Sequence, residues 1–195
     1  MQNKIIIHEH KQFDNIDYSE TSLRNQEFYH CQFEKCVFTK SDLCGICFED
    51  CVFDNCNFTM PSIKGTAFRN VDFRNCKMLG IDFTECNKFV LSFRFDSCTL
   101  DYSIFSGAKI PKTHFLKCSL KEVDFTDANI ASSVFTQSDL TDATFFNTTL
   151  EKADFRNAFN FNIDPEHNKL KKAKFSALQL EGLLCKYQLD IDNNV

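Results

Sequence analysis

Cys44 and Cys47 stand in the run Cys44-Gly45-Ile46-Cys47, the spacing at which two thiols hold a metal ion or exchange electrons. One such pair is half a site, because structural zinc takes four ligands and no second close pair exists. His8, His10, His30, His114 and His167 are scattered, and no glycine-rich phosphate loop or paired-histidine metal motif accompanies them. Eleven cysteines would suit a disulfide scaffold, but the number is odd. Residues 1–10 also lack the apolar core and cleavage site of a secretion signal. The expectation is therefore no enzyme, no catalytic residue, no metal and no cofactor, in a cytoplasmic chain without a membrane span.

The elements that carry these residues have an unusual period. Large apolar residues recur every five positions: Phe13, Tyr18, Leu23, Phe28, Phe33 and onward to Phe83, then Phe95, Leu100, Phe105, Ile110 and onward to Phe155. Neither the helical period of 3.6 nor the strand period of 2 produces this. Two positions before each centre runs a column of small residues, among them Cys31, Cys36, Ser41, Cys51, Cys56, Cys76, Cys98, Ala108, Cys118 and Ala153. Cysteine there serves as a small apolar filler with a free thiol, whereas Cys44 and Cys47 fall in this register on outward positions. The chain has 23 Phe and no Trp, and its 5 Gly and 3 Pro are too few for a conventional many-stranded sandwich.

Residues twenty apart share a chemistry. Phe13, Phe33, Phe53 and Phe73 form one set, continued by Phe95, Phe115, Phe135 and Phe155, while Leu100, Leu120 and Leu140 form another. This implies four five-residue sides per circuit, with like side chains stacked at strand spacing, about 4.8 Å. Between Phe83 and Phe95 there are two residues too many for this register. Placing Val90 as the missing centre leaves a bulge within residues 84–89, from which Lys88 and Phe89 protrude.

The repeating unit A-(D/N)-(L/F)-x-x, as in Ala153-Asp154-Phe155-Arg156-Asn157 and Val123-Asp124-Phe125-Thr126-Asp127, resembles the pentapeptide-repeat family over residues 11–160. The resemblance implies an all-β fold, a right-handed quadrilateral parallel β-helix over residues 1–163 with an amino-terminal cap at 1–10. After Phe161 the period stops at Asp164-Pro165, and residues 164–195 read as an extended segment and a short α-helix. Ser176 and Gln179 have the spacing of a capping box, and Leu178, Leu183, Leu184 and Tyr187 fall near one side, with Leu189 and Ile191 beyond. An open coil end is a sheet edge that must be covered. The helix is either a cap only or a cap that is also a twofold interface through Leu178, Leu183, Leu184, Tyr187, Leu189 and Ile191.

The run Ile163-Asp164-Pro165-Glu166-His167-Asn168-Lys169, followed by Lys171-Lys172-Ala173-Lys174-Phe175, is similar to the tail of Qnr-type and microcin-immunity pentapeptide proteins. That likeness implies a homodimer and a DNA-mimicking surface that binds a type II topoisomerase, DNA gyrase or topoisomerase IV, protecting it from quinolones or a microcin-like toxin. It also implies two long projecting loops in many Qnr proteins, where this chain offers only its short bulge. The charge pattern is compatible. With 27 acids against 22 bases the chain carries net −5, which argues against direct nucleic-acid binding unless the charge is segregated. In the four-sided register two adjacent sides hold most of the excess acid, as a strip of Asp101, Glu122, Asp124, Asp127, Asp139 and Asp142. Such a strip is either a mimic of phosphates or a solvated, solubilising surface. A scaffold rod binding some other protein is the alternative reading of the whole chain.

Overall fold

The computed structural model describes residues 4–89 and 91–191. Ten short strands are present: β1 (Ile6–Glu9), β2 (Gln12–Asp14), β3 (Gln26–Tyr29), β4 (Gln32–Glu34), β5 (Cys47–Glu49), β6 (Val52–Asp54), β7 (Ala67–Arg69), β8 (Val71–Arg74), β9 (Phe93–Asp96) and β10 (His114–Leu116). They make two parallel sheets, ordered β1-β3-β5-β7 and β2-β4-β6-β8-β9-β10. Isolated parallel bridges, twenty residues apart and 22 across the insertion, continue these two walls and build two more, as in Ser119–Asp139 and Asp124–Thr144. The chain is thus a four-sided parallel solenoid. The first wall centres on Phe13 to Phe155, the second on Tyr18 to Leu140, the third on Leu23 to Phe145 and the fourth on Phe28 to Leu150.

Stacking of like side chains holds the coils in register. Phe33 and Phe53 pair in β4 and β6 with ring centroids 4.6 Å apart, and Phe53 stacks on Phe73 at 5.1 Å. Each wall's rings also meet those of the next wall edge to face, as Phe53 meets Phe58 at 5.0 Å. Both geometries suit the ring quadrupole. The small column lies beside these rings and does more than fill space. The Cys56 thiol donates to the carbonyls of Phe33 and Asp54, both at 3.4 Å, and the Ser138 and Thr148 hydroxyls donate in the same way to Phe115 (3.0 Å) and Phe125 (2.8 Å). Cysteine is therefore a weak buried donor here as well as a small filler. Cys47 precedes the wall centre Phe48 in β5, outside the core cluster, and is covered by its neighbours Tyr29, Glu49 and Arg69, whereas Cys44 is partly exposed.

The corners explain how so few glycines suffice. Outside the insertion, the last residue of the pentapeptides from His10 (φ 51°) through Glu122 (φ 54°) to Asn157 (φ 65°), and again Lys172 (φ 62°), adopts a left-handed backbone, and only Gly45, Gly65, Gly80 and Gly107 spare the chain a Cβ there. That conformation is unfavourable for ordinary residues. Hydrogen bonds to the next coil fix it, for instance Lys112 N–H to Ala131 O at 2.8 Å.

The insertion is absorbed in one wall. Asn87 still bonds back to Thr66, and β8 pairs with β9 so that Val71 faces Phe93 and Phe73 faces Phe95. Phe93 thus occupies the column position of Cys31, Cys51 and Val71, and its ring reaches Phe68 (5.6 Å) and Phe83 (5.3 Å) on the neighbouring walls. Val90, expected as the missing centre, lies outside the described residues. Phe89 protrudes, 95% exposed, and Lys88 is exposed beside it.

The expected end of the repeat after Phe161 is displaced. Thr149 bridges Lys169, Asp154 bridges Lys174, and Phe175 stacks on Phe155 at 5.2 Å, so residues 169–175 form part of a further coil. The helix beyond it is not α. Ala177–Leu183 and Cys185–Tyr187 are 3-10 turns, and the Ser176 side chain makes no cap bond. The buried Gln179 Oε1 has no partner, so no capping box closes. Tight packing against the rod end accompanies this geometry. A Cβ on Gly182 would lie 2.4 Å from the Phe161 carbonyl, and the Gly182 carbonyl accepts the Ile163 N–H at 2.9 Å.

Replacing Phe53 by Ala removes a ring held on every side, and the expected loss is about 3–5 kcal/mol. Phe89→Ala, at the exposed bulge, is expected to change stability by less than about 0.5 kcal/mol. Urea denaturation midpoints of the two variants check this, and equal midpoints would contradict the stacked core.

Candidate partner-binding surfaces

With its axis filled by phenylalanine and aliphatic side chains, the solenoid presents its chemistry on the outside. The six acidic strip residues come together on the second and third walls and their corners, but they are not equivalent. Asp124 and Asp139 precede wall centres and are half-buried, and each carboxylate accepts the backbone N–H two residues on, Thr126 at 2.8 Å and Thr141 at 3.1 Å. Asp17, Asn57, Asp82, Asn129 and Asp154 make the same contact. The recurrent Asp or Asn is therefore a corner-forming residue that satisfies a turn N–H. A local side-chain-to-backbone pattern two residues apart was the available signal in the sequence.

The remaining strip acids face outward. Asp101 accepts the Lys121 backbone N–H at 3.0 Å, and Asp127 holds the Asn147 amide. Glu122 and Asp142 occupy successive left-handed corner positions, linked by the bond from Glu122 N–H to Thr141 O at 2.9 Å, and both lack an ion pair among the described residues. Lys121 partly neutralises the strip through Asp139 at 3.4 Å.

At the carboxyl end, Leu178 is 86% exposed, and Tyr187, Leu189 and Ile191 are exposed as well. Leu184 is half-buried, and Leu183 turns inward onto the core. Of the six residues expected at an interface, four thus present apolar surface. A cleft of about 590 Å³ beside them is lined by Asn160, Phe161, Gly182, Leu184, Leu189 and Ile191. Asp164 ties this segment to the coil, bonding Lys186 at 2.8 Å and His167 at 2.8 Å, while Lys186 also meets Glu166 at 2.7 Å. Lys186 and Gly182 carried no recognisable signal in the sequence.

Burial pushes the Cys51 and Cys86 thiols up to about 12, which keeps them protonated. Among the described residues no three His, Cys, Asp or Glu side chains converge on a metal-sized space, and no helix is long and apolar enough to cross a membrane.

A four-walled parallel coil with one five-residue segment per wall is a solenoid repeat protein whose outer faces are its working surface. The chain belongs to the pentapeptide repeat family: the model described as pentapeptide repeat region matches residues 26–105, 46–125 and 87–155. Among solved structures it is similar to a trypsin-treated form of QnrB1, a plasmid-mediated fluoroquinolone resistance protein, with a TM-score of 0.72 and 15% identity, covering 97% of this chain and 100% of that one. Full-length QnrB1 matches with a TM-score of 0.50 and 18% identity, over 94% and 100% of the two chains. HetL, a pentapeptide repeat protein involved in heterocyst differentiation regulation from the cyanobacterium Nostoc, matches at 0.46 and 13% identity, over 88% and 87%. No curated protein matches the sequence.

Several carboxylates couple stability to pH. For Asp139, burial pushes the pKa up, but hydrogen bonds from Thr141 and Asn160 outweigh it and hold the group below its ordinary value. Arg156 does the same for Asp154, and Lys186 lowers Asp164 to about 2. Groups with depressed folded values stabilise the fold above the ordinary carboxylate pKa, and that contribution is lost as pH falls through the depressed value. Denaturation midpoints are therefore expected to hold from about pH 7 to 5 and to fall between about pH 4 and 2. Asp139→Asn with Asp164→Asn is expected to lower the midpoint at neutral pH and flatten its acid slope. An acid slope as steep as that of the unaltered chain would count against these pairings.

Proposed function

We propose that the rod binds a type II topoisomerase, DNA gyrase or topoisomerase IV, in the place of DNA, as a cytoplasmic homodimer. The observation that carries this reading is the outward carboxylate ladder of Glu122 and Asp142, flanked by Asp101 and Asp127, on a solenoid that aligns with QnrB1 over nearly its whole length. A protein that grips phosphates with Lys and Arg meets carboxylates at regular coil spacing, about 4.8 Å. Asp124 and Asp139 act mainly by shaping the corners that present the others. The exposed end formed by Leu178, Tyr187, Leu189 and Ile191 supports twofold, end-to-end pairing of two rods. Because the insertion between the repeats is only the short bulge carrying Phe89, topoisomerase contact is the primary activity, and protection from quinolones or a microcin-like toxin depends on what that bulge touches.

Titration into a gyrase supercoiling assay, with and without ciprofloxacin, tests the reading. Inhibition or rescue is expected at micromolar protein, and Glu122→Lys with Asp142→Lys is expected to weaken it at least tenfold. Lys already occupies the equivalent left-handed corners at Lys112, Lys152 and Lys172, so the change is compatible with the backbone. No response in either assay would favour a scaffold rod with another protein partner. Sedimentation checks the pairing separately: Leu178→Asp with Tyr187→Asp is expected to shift a dimer to monomer, and a monomeric unaltered chain would refute it.

A further inference from the structure

The acidic strip has a counterpart on the far side of the rod. At the corner between the fourth and first walls, Lys112, Lys152 and Lys172 occupy the left-handed position of their coils, with Ser132 between the first two. The backbone bonds from Lys112 to Ala131, Ser132 to Glu151 and Lys152 to Lys171 place these coils in direct succession. On the adjoining fourth wall, Lys109 begins a ladder that runs through Asn129 and Thr149 to Lys169, and Lys171 lies at the corner next to Lys172. All six lysines are exposed, and none has an ion-pair partner among the described residues. The nearby Asp154 is engaged by Arg156 and Lys174, which leaves Glu151 within the array and Asp127, holding the Asn147 amide, at the corner that bounds the fourth wall on its other side. The array exists because the coil continues to Phe175. Treated as a separate tail, Lys169, Lys171 and Lys172 would have no fixed relation to Lys112 and Lys152.

We propose that this lysine corner binds the phosphate backbone of duplex nucleic acid, independently of base sequence. The expectation against direct nucleic-acid contact rested on net charge, and net charge averages two poles that the fold separates. The acidic corner of Glu122 and Asp142 is diagonally opposite, on the far side of the filled core. The composition of the array selects the partner. The exposed large apolar side chains Met60, Tyr102, Ile104, Phe146 and Phe159 lie on other walls and corners, and the rest lie at the rod ends and the bulge. A protein interface would want a buried apolar anchor, and a membrane surface would want aromatic or aliphatic insertion. Phosphates need only cations. The corner ladder spans three coil rises, about 15 Å, a length over which a duplex presents about nine charges. This inference goes beyond the topoisomerase reading and does not depend on it.

Fluorescence anisotropy with a labelled mixed-sequence duplex of about 30 base pairs, titrated with the full chain at several salt concentrations, is the test. Six contacts imply a slope of log K against log salt of about −5, a loss of roughly 10³-fold between about 50 and 200 mM. Lys112→Glu with Lys152→Glu and Lys172→Glu is expected to flatten the slope by about 3. Lys109→Gln with Lys169→Gln, away from the strained corners, is expected to flatten it by about 2. Circular dichroism and a cooperative denaturation curve confirm that each variant is folded. Absence of binding at low salt, or binding that neither folded variant weakens, overturns the proposal. Binding to phosphatidylserine vesicles without duplex binding overturns it in favour of a membrane, and self-association lost in the variants without duplex binding overturns it in favour of a second copy.

Discussion

Everything in this molecule depends on like side chains stacking at the spacing of one coil. Each ring that rests on its counterpart twenty residues away fixes the phase of a whole circuit, and the phase fixes which residues look outward. The stacking is reinforced from the side by edge-to-face contacts between walls and by the thiols and hydroxyls that donate to wall carbonyls. Left-handed corners would be unfavourable one by one. They persist because the stacks and ladders leave the chain no other way round. Surface chemistry derives from this constraint, since carboxylates or lysines at matching repeat positions become straight ladders.

The coil itself was legible in the sequence because period five and like-with-like sets at twenty are long-range regularities. The identity of the stacks, the buried column and the protruding Phe89 all derive from them. The illegible parts lie where the pattern is local or broken. The Asp before each wall centre reads as surface charge, and only the Asp139 contact to the Thr141 N–H reveals a corner support. Cys47 reads as an outward position in the repeat register, and that register does not reveal that its cross-coil neighbours cover it. Phe93 stands at a column position that ordinarily holds something small, and the repeat pattern alone does not reveal its reach to Phe68 and Phe83.

The carboxyl end illustrates the same division. Asp164-Pro165 is a true irregularity in sequence, yet the coil re-enters register at Lys169 because the bonds from Asn147 to His167 and Leu150 to Lys169 re-establish the ladder. Helical capping signals at Ser176 and Gln179 are overridden by the contact of Gly182 with Phe161, which brings the terminal segment too close for a wider helix. Tertiary contact decides both cases. The consequence is electrostatic, since the recovered coil is what aligns the carboxyl-terminal lysines with Lys112 and Lys152.

Phe93 has an implication for how such a rod changes over generations. With its ring packed against Phe68 and Phe83, it stands where two extra residues leave the circuit without rotating the later coils: Phe73 still stacks on Phe95, and Phe83 on Phe105. The two halves remain in phase like threads of one screw. A longer excursion grafted between Lys88 and Leu91 would inherit that alignment, so new recognition elements can be tried there while the surfaces on either side keep their bearings.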